Sequence, residues 1–259
     1  MRKLSFLVGL IALSGGAWAL EANDADVVFL GEVHDNPAHH ERQANWVAAL
    51  APKAVVYEML TEAQALQVDP SLTETGLAEA LDWENSGWPD FSMYYPIFES
   101  SSQARVYGAA VPRSEVRSIK ERSIDEVFGG DADRFGLTQG LPQDQQAARE
   151  AMQMEAHCNA LPEVMLPIMV DIQRLRDAAL ARAAVAAYAE TGGPVVVITG
   201  NGHARKDWGG PATLKAAAPD VVIYTLGQGE DGHDAPEGGF DALAFSPPAE
   251  RDDPCAAFK

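Results

Sequence analysis

Two four-residue motifs hold the most concentrated chemistry in the chain. "GEVH" (Gly31 to His34) ends the apolar run "DVVFLG", and "GNGH" (Gly200 to His203) ends "PVVVITG". Both are G-x-x-H set directly after a hydrophobic run. A third run, "AVVYEM", contains Glu58. Neutral imidazole and carboxylate are ordinary ligands of a divalent ion such as zinc or manganese, so His34, Glu58 and His203 are candidate metal ligands. With Glu32 they also form a candidate catalytic set, because a carboxylate that orients each histidine suits general acid–base work. The plain alternative for one motif is that Glu32 and His34 cap the next helix and pair with each other. Two copies on two strands favour a shared site. Arg205, in "GNGHAR", adds a fork that fits a carboxylate.

The other histidines carry less. His39 and His40 are adjacent on a helix, so only one at a time can face a cleft. His157 stands near Met152 and Met154, with Met165 and Met169 following, and a methionine-rich helix is more often core filler than a cofactor box. His233 falls in a loose tail and is expected to be solvated.

For these residues to meet, their runs must be neighbouring strands. Four runs rich in valine and isoleucine (26–31, 54–59, 194–200 and 220–227) read as buried parallel strands. Helical patterns lie between the first two and the last two, which predicts an α/β fold with a mainly parallel sheet. In such a sheet ligands bind at the carboxyl edge, where Glu32, His34, Glu58 and His203 would gather. Gly31, Gly200 and Gly202 allow tight turns and close backbone approach there. Asn36 and Pro37 mark the start of the first helix.

The expected organisation has a leader at 1–19, one domain at 24–228 and an irregular acidic tail at 229–259. Within the domain, 24–60 and 191–228 form the α/β core, and 61–190 is a helical insert acting as a lid or second lobe. Its longest helix has an apolar stripe at Met165, Ile168, Met169, Ile172, Leu175, Ala179 and Leu180.

With 259 residues, 47% of them hydrophobic, a sizeable core is within reach. A net charge of −19 excludes nucleic acid as a partner, since phosphate binding needs a basic face. Arg2 and Lys3, the apolar "LSFLVGLIAL" and "AWA" form a secretory leader cleaved after Ala19, which places the chain in the periplasm. No other stretch is apolar enough to span a membrane. Cys158 and Cys255 are the only cysteines. In an oxidising compartment they either form one disulfide or leave a free thiol beside His157.

Taken in order, "FLGEVHDNPAHHERQ", "VVYEM", "QMEAHCNALPEVMLPIMVDIQRLRDAALA" and "VVVITGNGHARKDWGGPATL" resemble the ChaN-like haem-binding proteins of the haem-binding uptake/Tiki superfamily. They span most of residues 26 to 226. The resemblance implies an α/β core with a helical lobe, export, haem as cofactor and a role in iron acquisition. The partners in view are haem, an outer-membrane haem receptor and a second copy of the chain. The residues implied to meet the cofactor are Glu32, His34, Glu58, His157, His203 and Arg205. Tyr57, Tyr94 and Tyr95 are further axial candidates, and Arg105, Arg113 and Arg205 are candidates for the propionates. The wider superfamily is similar to the Tiki proteases and erythromycin esterases, which use paired histidines and glutamates at these strand ends for hydrolysis. A metal-dependent hydrolase therefore stands beside the haem-binding reading, and whether the chain is an enzyme stays open. ChaN itself is a lipoprotein, whereas no cysteine follows the leader here.

Overall fold

The computed structural model describes Ala22, residues 24–253, Cys255 and Ala256. The leader and its cleavage point lie outside the described residues. Among those described, six strands form one parallel sheet in the order β3-β2-β4-β1-β5-β6. They are β1 (Val27–Leu30), β2 (Ala54–Tyr57), β3 (Arg105–Gly108), β4 (Val195–Ile198), β5 (Ile223–Glu230) and β6 (Ala242–Ser246).

Every residue of β1, β2 and β4 is fully buried, which explains why their sequences are unbroken apolar runs. Alternate side chains serve opposite faces. Val28, Leu30, Val55, Tyr57, Val196 and Ile198 pack with Trp46 and Val47 of α1 (Pro37–Leu50). Val27, Phe29, Val56, Val195 and Val197 pack against the helices on the other side. Each such side chain contributes about 1.5–3 kcal/mol by leaving water. Helix α1 begins as its sequence requires: the Asn36 side chain accepts from the Ala38 N–H and Pro37 takes the first position.

The segment 61–190 holds α2 (Glu62–Ala65), α3 (Glu74–Ala80), α4 (Phe91–Ser100), α5 (Arg113–Ser118), α6 (Ile124–Phe128), α7 (Gln143–Ala156) and α8 (Leu166–Thr191). It also supplies β3, whose "RVYG" is exposed or half-buried at the sheet edge and so lacks the apolar signature of the inner strands. The stretch expected as an irregular tail likewise contains β6, where Leu243 and Phe245 are partly exposed. Helix α8 buries the C-terminal part of the predicted stripe, Ile172, Leu175, Ala179 and Leu180, and a broader alanine-rich face beside it. Met165, Ile168 and Met169 are only half-buried, while Val170, Asp177, Ala178, Ala181, Ala184 and Ala187 are buried. Small alanines let this helix lie close to the sheet, so it forms part of the layer over β2 and β4. A stripe judged by side-chain size finds the large residues of that face and misses Asp177 and the small alanines.

Cys158 and Cys255 are bridged, with Cα atoms 5.6 Å apart, and no cysteine among the described residues is free. Among the described residues no helix is long and apolar enough to cross a membrane.

Candidate functional site

The first motif leaves the carboxyl end of β1 in a tightly held loop. The Gly31 N–H donates to the Leu226 carbonyl at 2.8 Å, and a side chain on Gly31 would collide with that oxygen and with Asn201 Oδ1. The Val33 N–H donates to Nδ1 of His39 at 2.9 Å, so the His39 proton sits on Nε2 and is given to the Gly229 carbonyl. Nε2 of His40 donates to the His34 carbonyl at 2.8 Å. Both helical histidines are fully buried and neither lines the cleft. His39 is a loop holder, and His40 stands behind the site.

Glu32 is the hub of this half. Its Oε1 accepts from His34 Nδ1 at 2.7 Å and from the Tyr94 hydroxyl at 2.9 Å. Its Oε2 lies 3.5 Å from His40 Nδ1 and has no hydrogen-bond partner. Burial and the Glu32 charge push the Tyr94 hydroxyl far up, so it stays a donor. The His34 side chain is 39% exposed, and its ring meets Trp88 edge-on with centroids 4.9 Å apart. Burial disfavours its charged form, but the Glu32 hydrogen bond and the charges of Glu58, Glu32 and Asp35 prevail and raise its pKa to about 9.

The second motif is built differently. Gly200 precedes the short helix α9 (Asn201–Ala204), and a side chain on Gly200 would sit 2.9 Å from the His34 ring. Glu58, just past β2, accepts from Thr199 Oγ1 at 2.6 Å and from the Gly200 N–H at 2.8 Å through Oε2. His203 is buried, with Nδ1 2.7 Å from Asp177 Oδ1 and Nε2 3.7 Å from Glu58 Oε1. Burial alone would discharge it, yet the carboxylates of Asp177 and Glu58 outweigh that and raise its pKa. Burial opposes the charge on Glu58 too, but the neighbouring His203 and His34 hold its carboxyl below the usual range.

Glu32, His34, Glu58 and His203 line one cleft of about 740 Å³, together with Met59, Trp88, Arg113, Arg176 and Leu180. His157 and Arg205 are not among its lining residues. The His157 ring bonds the Gln153 carbonyl at the end of α7, and Arg205 forks onto Asp207 and stacks on Trp208 at 3.9 Å. Tyr57 is buried against Phe98 with its hydroxyl on Ser101. Arg105 pairs with Glu190 at the β3 edge. Among the described residues no group of three or more His, Cys, Asp or Glu side chains is arranged to hold a metal ion. His34, Glu58 and His203, expected as metal ligands, therefore do not converge as a three-ligand set.

Asp177 is the residue that sequence reasoning missed. Its signal was present: it is the one acid at the register of Val170, Ala181 and Ala184 on the buried face of α8. A larger and more apolar groove of about 1200 Å³ adjoins the cleft, sharing Thr61 and the stretch 109–112 with it. Tyr95, Phe98, Tyr107 and Leu175 line that groove.

This is a parallel α/β protein whose strand ends gather paired histidines and carboxylates, and its family follows. The family model described as "Haem-binding uptake, Tiki superfamily, ChaN" matches residues 18–214, and the chain belongs to that family. The solved structure "Cofacial heme binding to ChaN of Campylobacter jejuni" is similar to this chain with a TM-score of 0.65 and 21% identity, covering 84% of this chain and 86% of that one. At that identity the likeness shows a common fold. The structure of a type III effector, HopBA1, is matched at 13% identity and a TM-score of 0.48 over 89% of this chain and 92% of that one, too weak a likeness to carry an argument. No curated protein matches the chain.

Proposed function

We propose that the chain binds haem in the strand-end cleft, with His34 as the axial ligand. One observation carries this reading: the Nδ1 proton of His34 is held by Glu32 at 2.7 Å, while its Nε2 makes no hydrogen bond in a half-exposed cleft position. A carboxylate behind an imidazole fixes its orientation and raises its basicity as a ligand, and with a folded pKa of about 9 the Nε2 proton has to leave when iron binds. The cleft volume of about 740 Å³ is in the range of cofactor sites. Val33, Met59, Trp88, Val111 and Leu180 give apolar surface for a porphyrin. Arg176 makes no hydrogen bond or ion pair among the described residues, and Arg113 spends one nitrogen on the Ser86 carbonyl, so both can meet propionates. Bound haem would supply the iron; the chain orients His34 and shields it.

The leader supports a periplasmic protein in haem and iron acquisition that passes haem to or from an outer-membrane receptor, alone or as a homodimer. A second reading, a metal-dependent hydrolase using zinc or manganese, would draw on the Asp177–His203–Glu58 array, which a haem ligand does not need but which is not arranged as a metal site among the described residues.

Titration of the mature chain with haemin, followed by its visible spectrum and by metal analysis, tests both. Haem binding should give a Soret band that His34→Ala weakens at least about tenfold in affinity. An unchanged titration would move the ligand to the adjoining groove with Tyr95 and Tyr107. Absence of haem binding, with chelator-sensitive turnover, would replace this reading by the hydrolase.

A further inference from the structure

Residues 247–253 do not line the cleft, yet with Cys255 they tie the loop that carries His34 to the end of α7. At one wall the Arg251 guanidinium forks onto Asp35, the residue after His34, with Nε and Nη2 each 2.8 Å from a carboxylate oxygen. The same guanidinium donates to both oxygens of Glu230 at the end of β5, at 2.7 and 2.6 Å. Asn36 closes the ring, donating to Glu230 Oε1 at 2.6 Å and to the Pro247 carbonyl at 3.0 Å. The other wall is α8, which brings Gln173, Arg176 and Leu180, and α7 packs along it. Cys158, two residues past the end of α7, is bridged to Cys255.

We propose that this C-terminal segment is a brace that a dithiol reductant can release, in which Arg251 positions the loop carrying His34 and the Cys158–Cys255 bridge keeps Arg251 in place. The Arg251–Asp35 pair is open, at 31% and 45% exposure, and holds the His34 loop weakly by itself, while buried Glu230 ties the same guanidinium to β5. A covalent anchor four positions further along keeps the guanidinium near its partners at high effective concentration. Both cysteines are half-buried, within reach of a small thiol. In the release step one thiolate of the reductant attacks a bridge sulfur and frees the other cysteine as a thiolate. The second reductant thiolate then displaces the mixed disulfide. The reductant leaves as its cyclic disulfide, and its two protons end on Cys158 and Cys255. His34 is then less firmly held, so the brace regulates the site assigned above; that consequence alone rests on the haem reading.

Amide hydrogen exchange on the haem-free chain is the direct test, comparing the oxidised protein, the dithiothreitol-reduced protein and Arg251→Met. Reduction and Arg251→Met should each speed exchange at Asn36 and His39 by about threefold or more, leave β1 and β4 unchanged, and not add to each other. In the haem-loaded chain, reduction should raise the haem off-rate by a similar factor. Unchanged exchange at those amides on reduction overturns the proposal, as does additive behaviour of the two treatments. A chain that takes up no haem sinks the haem reading, while the exchange data still decide the brace. Chemical reduction makes the test independent of whether a Cys158→Ser, Cys255→Ser variant folds.

Discussion

The two G-x-x-H motifs have the same spelling and the same place after a buried strand, yet the fold gives them different work. His34 has one neighbour holding its proton and an open second nitrogen beside Trp88. His203 is sealed between Asp177 and Glu58, with Thr199 and Gly200 behind the second carboxylate. What separates them is the layer above. Over His203 lies α8 with its buried acid, and over His34 lies only the edge of a tryptophan. The same local motif therefore yields one histidine free to bind and one built into a charged core.

The largest effect expected from this contrast is on the sealed side. Asp177→Ala leaves a buried imidazolium with one partner, and stability should fall by about 3–5 kcal/mol. Calorimetry should show Tm lower by about 10 °C, a shift scaled from domains of this size. A loss under about 1 kcal/mol would mean that His203 is not held as a cation. His203→Ala should cost somewhat less, about 2–3 kcal/mol, because it leaves two carboxylates that can take up a proton instead. Denaturant unfolding of that variant in parallel with Asp177→Ala, and of the double variant, should show strong non-additivity.

On the open side the order of effects reverses. His34→Ala should move Tm by only about 2 °C, while costing at least about 1.4 kcal/mol in haem affinity. If His203→Ala instead proved the stable variant with the lost Soret band, the two motifs would have to exchange roles.

A smaller effect sharpens the contrast by pH. The folded pKa of His34 is about 9 against an ordinary 6.5, so the stability it adds is complete below 6.5 and is lost as pH rises through about 9. Because the ring is partly exposed, screening leaves about 1 kcal/mol of this. Unfolding free energies measured from pH 6 to 10 should decline across that window in the parent chain, and the decline should flatten in Glu32→Gln. The smallest expectation is a control: His233→Ala, at an exposed position beyond β5, should leave both Tm and the haem titration unchanged.

The four cleft residues taken from the sequence all follow central strands, and this was legible because inner parallel strands must be apolar throughout. Their runs announce themselves, and the first polar residues after them have to lie at the sheet edge. Glu32, His34 and Glu58 were found that way, and His203 by the repeated motif. The edge strands β3 and β6 were not legible, because an edge is half-solvated and tolerates arginine, tyrosine and serine. His157 was named through the family resemblance; its ring bonds the Gln153 carbonyl at the end of its own helix and does not line the cleft.

By itself, then, the sequence determined the four inner strands, the capped start of α1 and the gathering of imidazoles and carboxylates, since each depends on short-range pattern or on strand order. It also named the two cysteines that can pair. Only the tertiary structure decided which histidine is open and which is sealed, because that depends on the rotation of α8 about its axis. Close packing of alanines on the sheet sets that rotation, and it carries Asp177, 26 residues before His203, to within 2.7 Å of the imidazole.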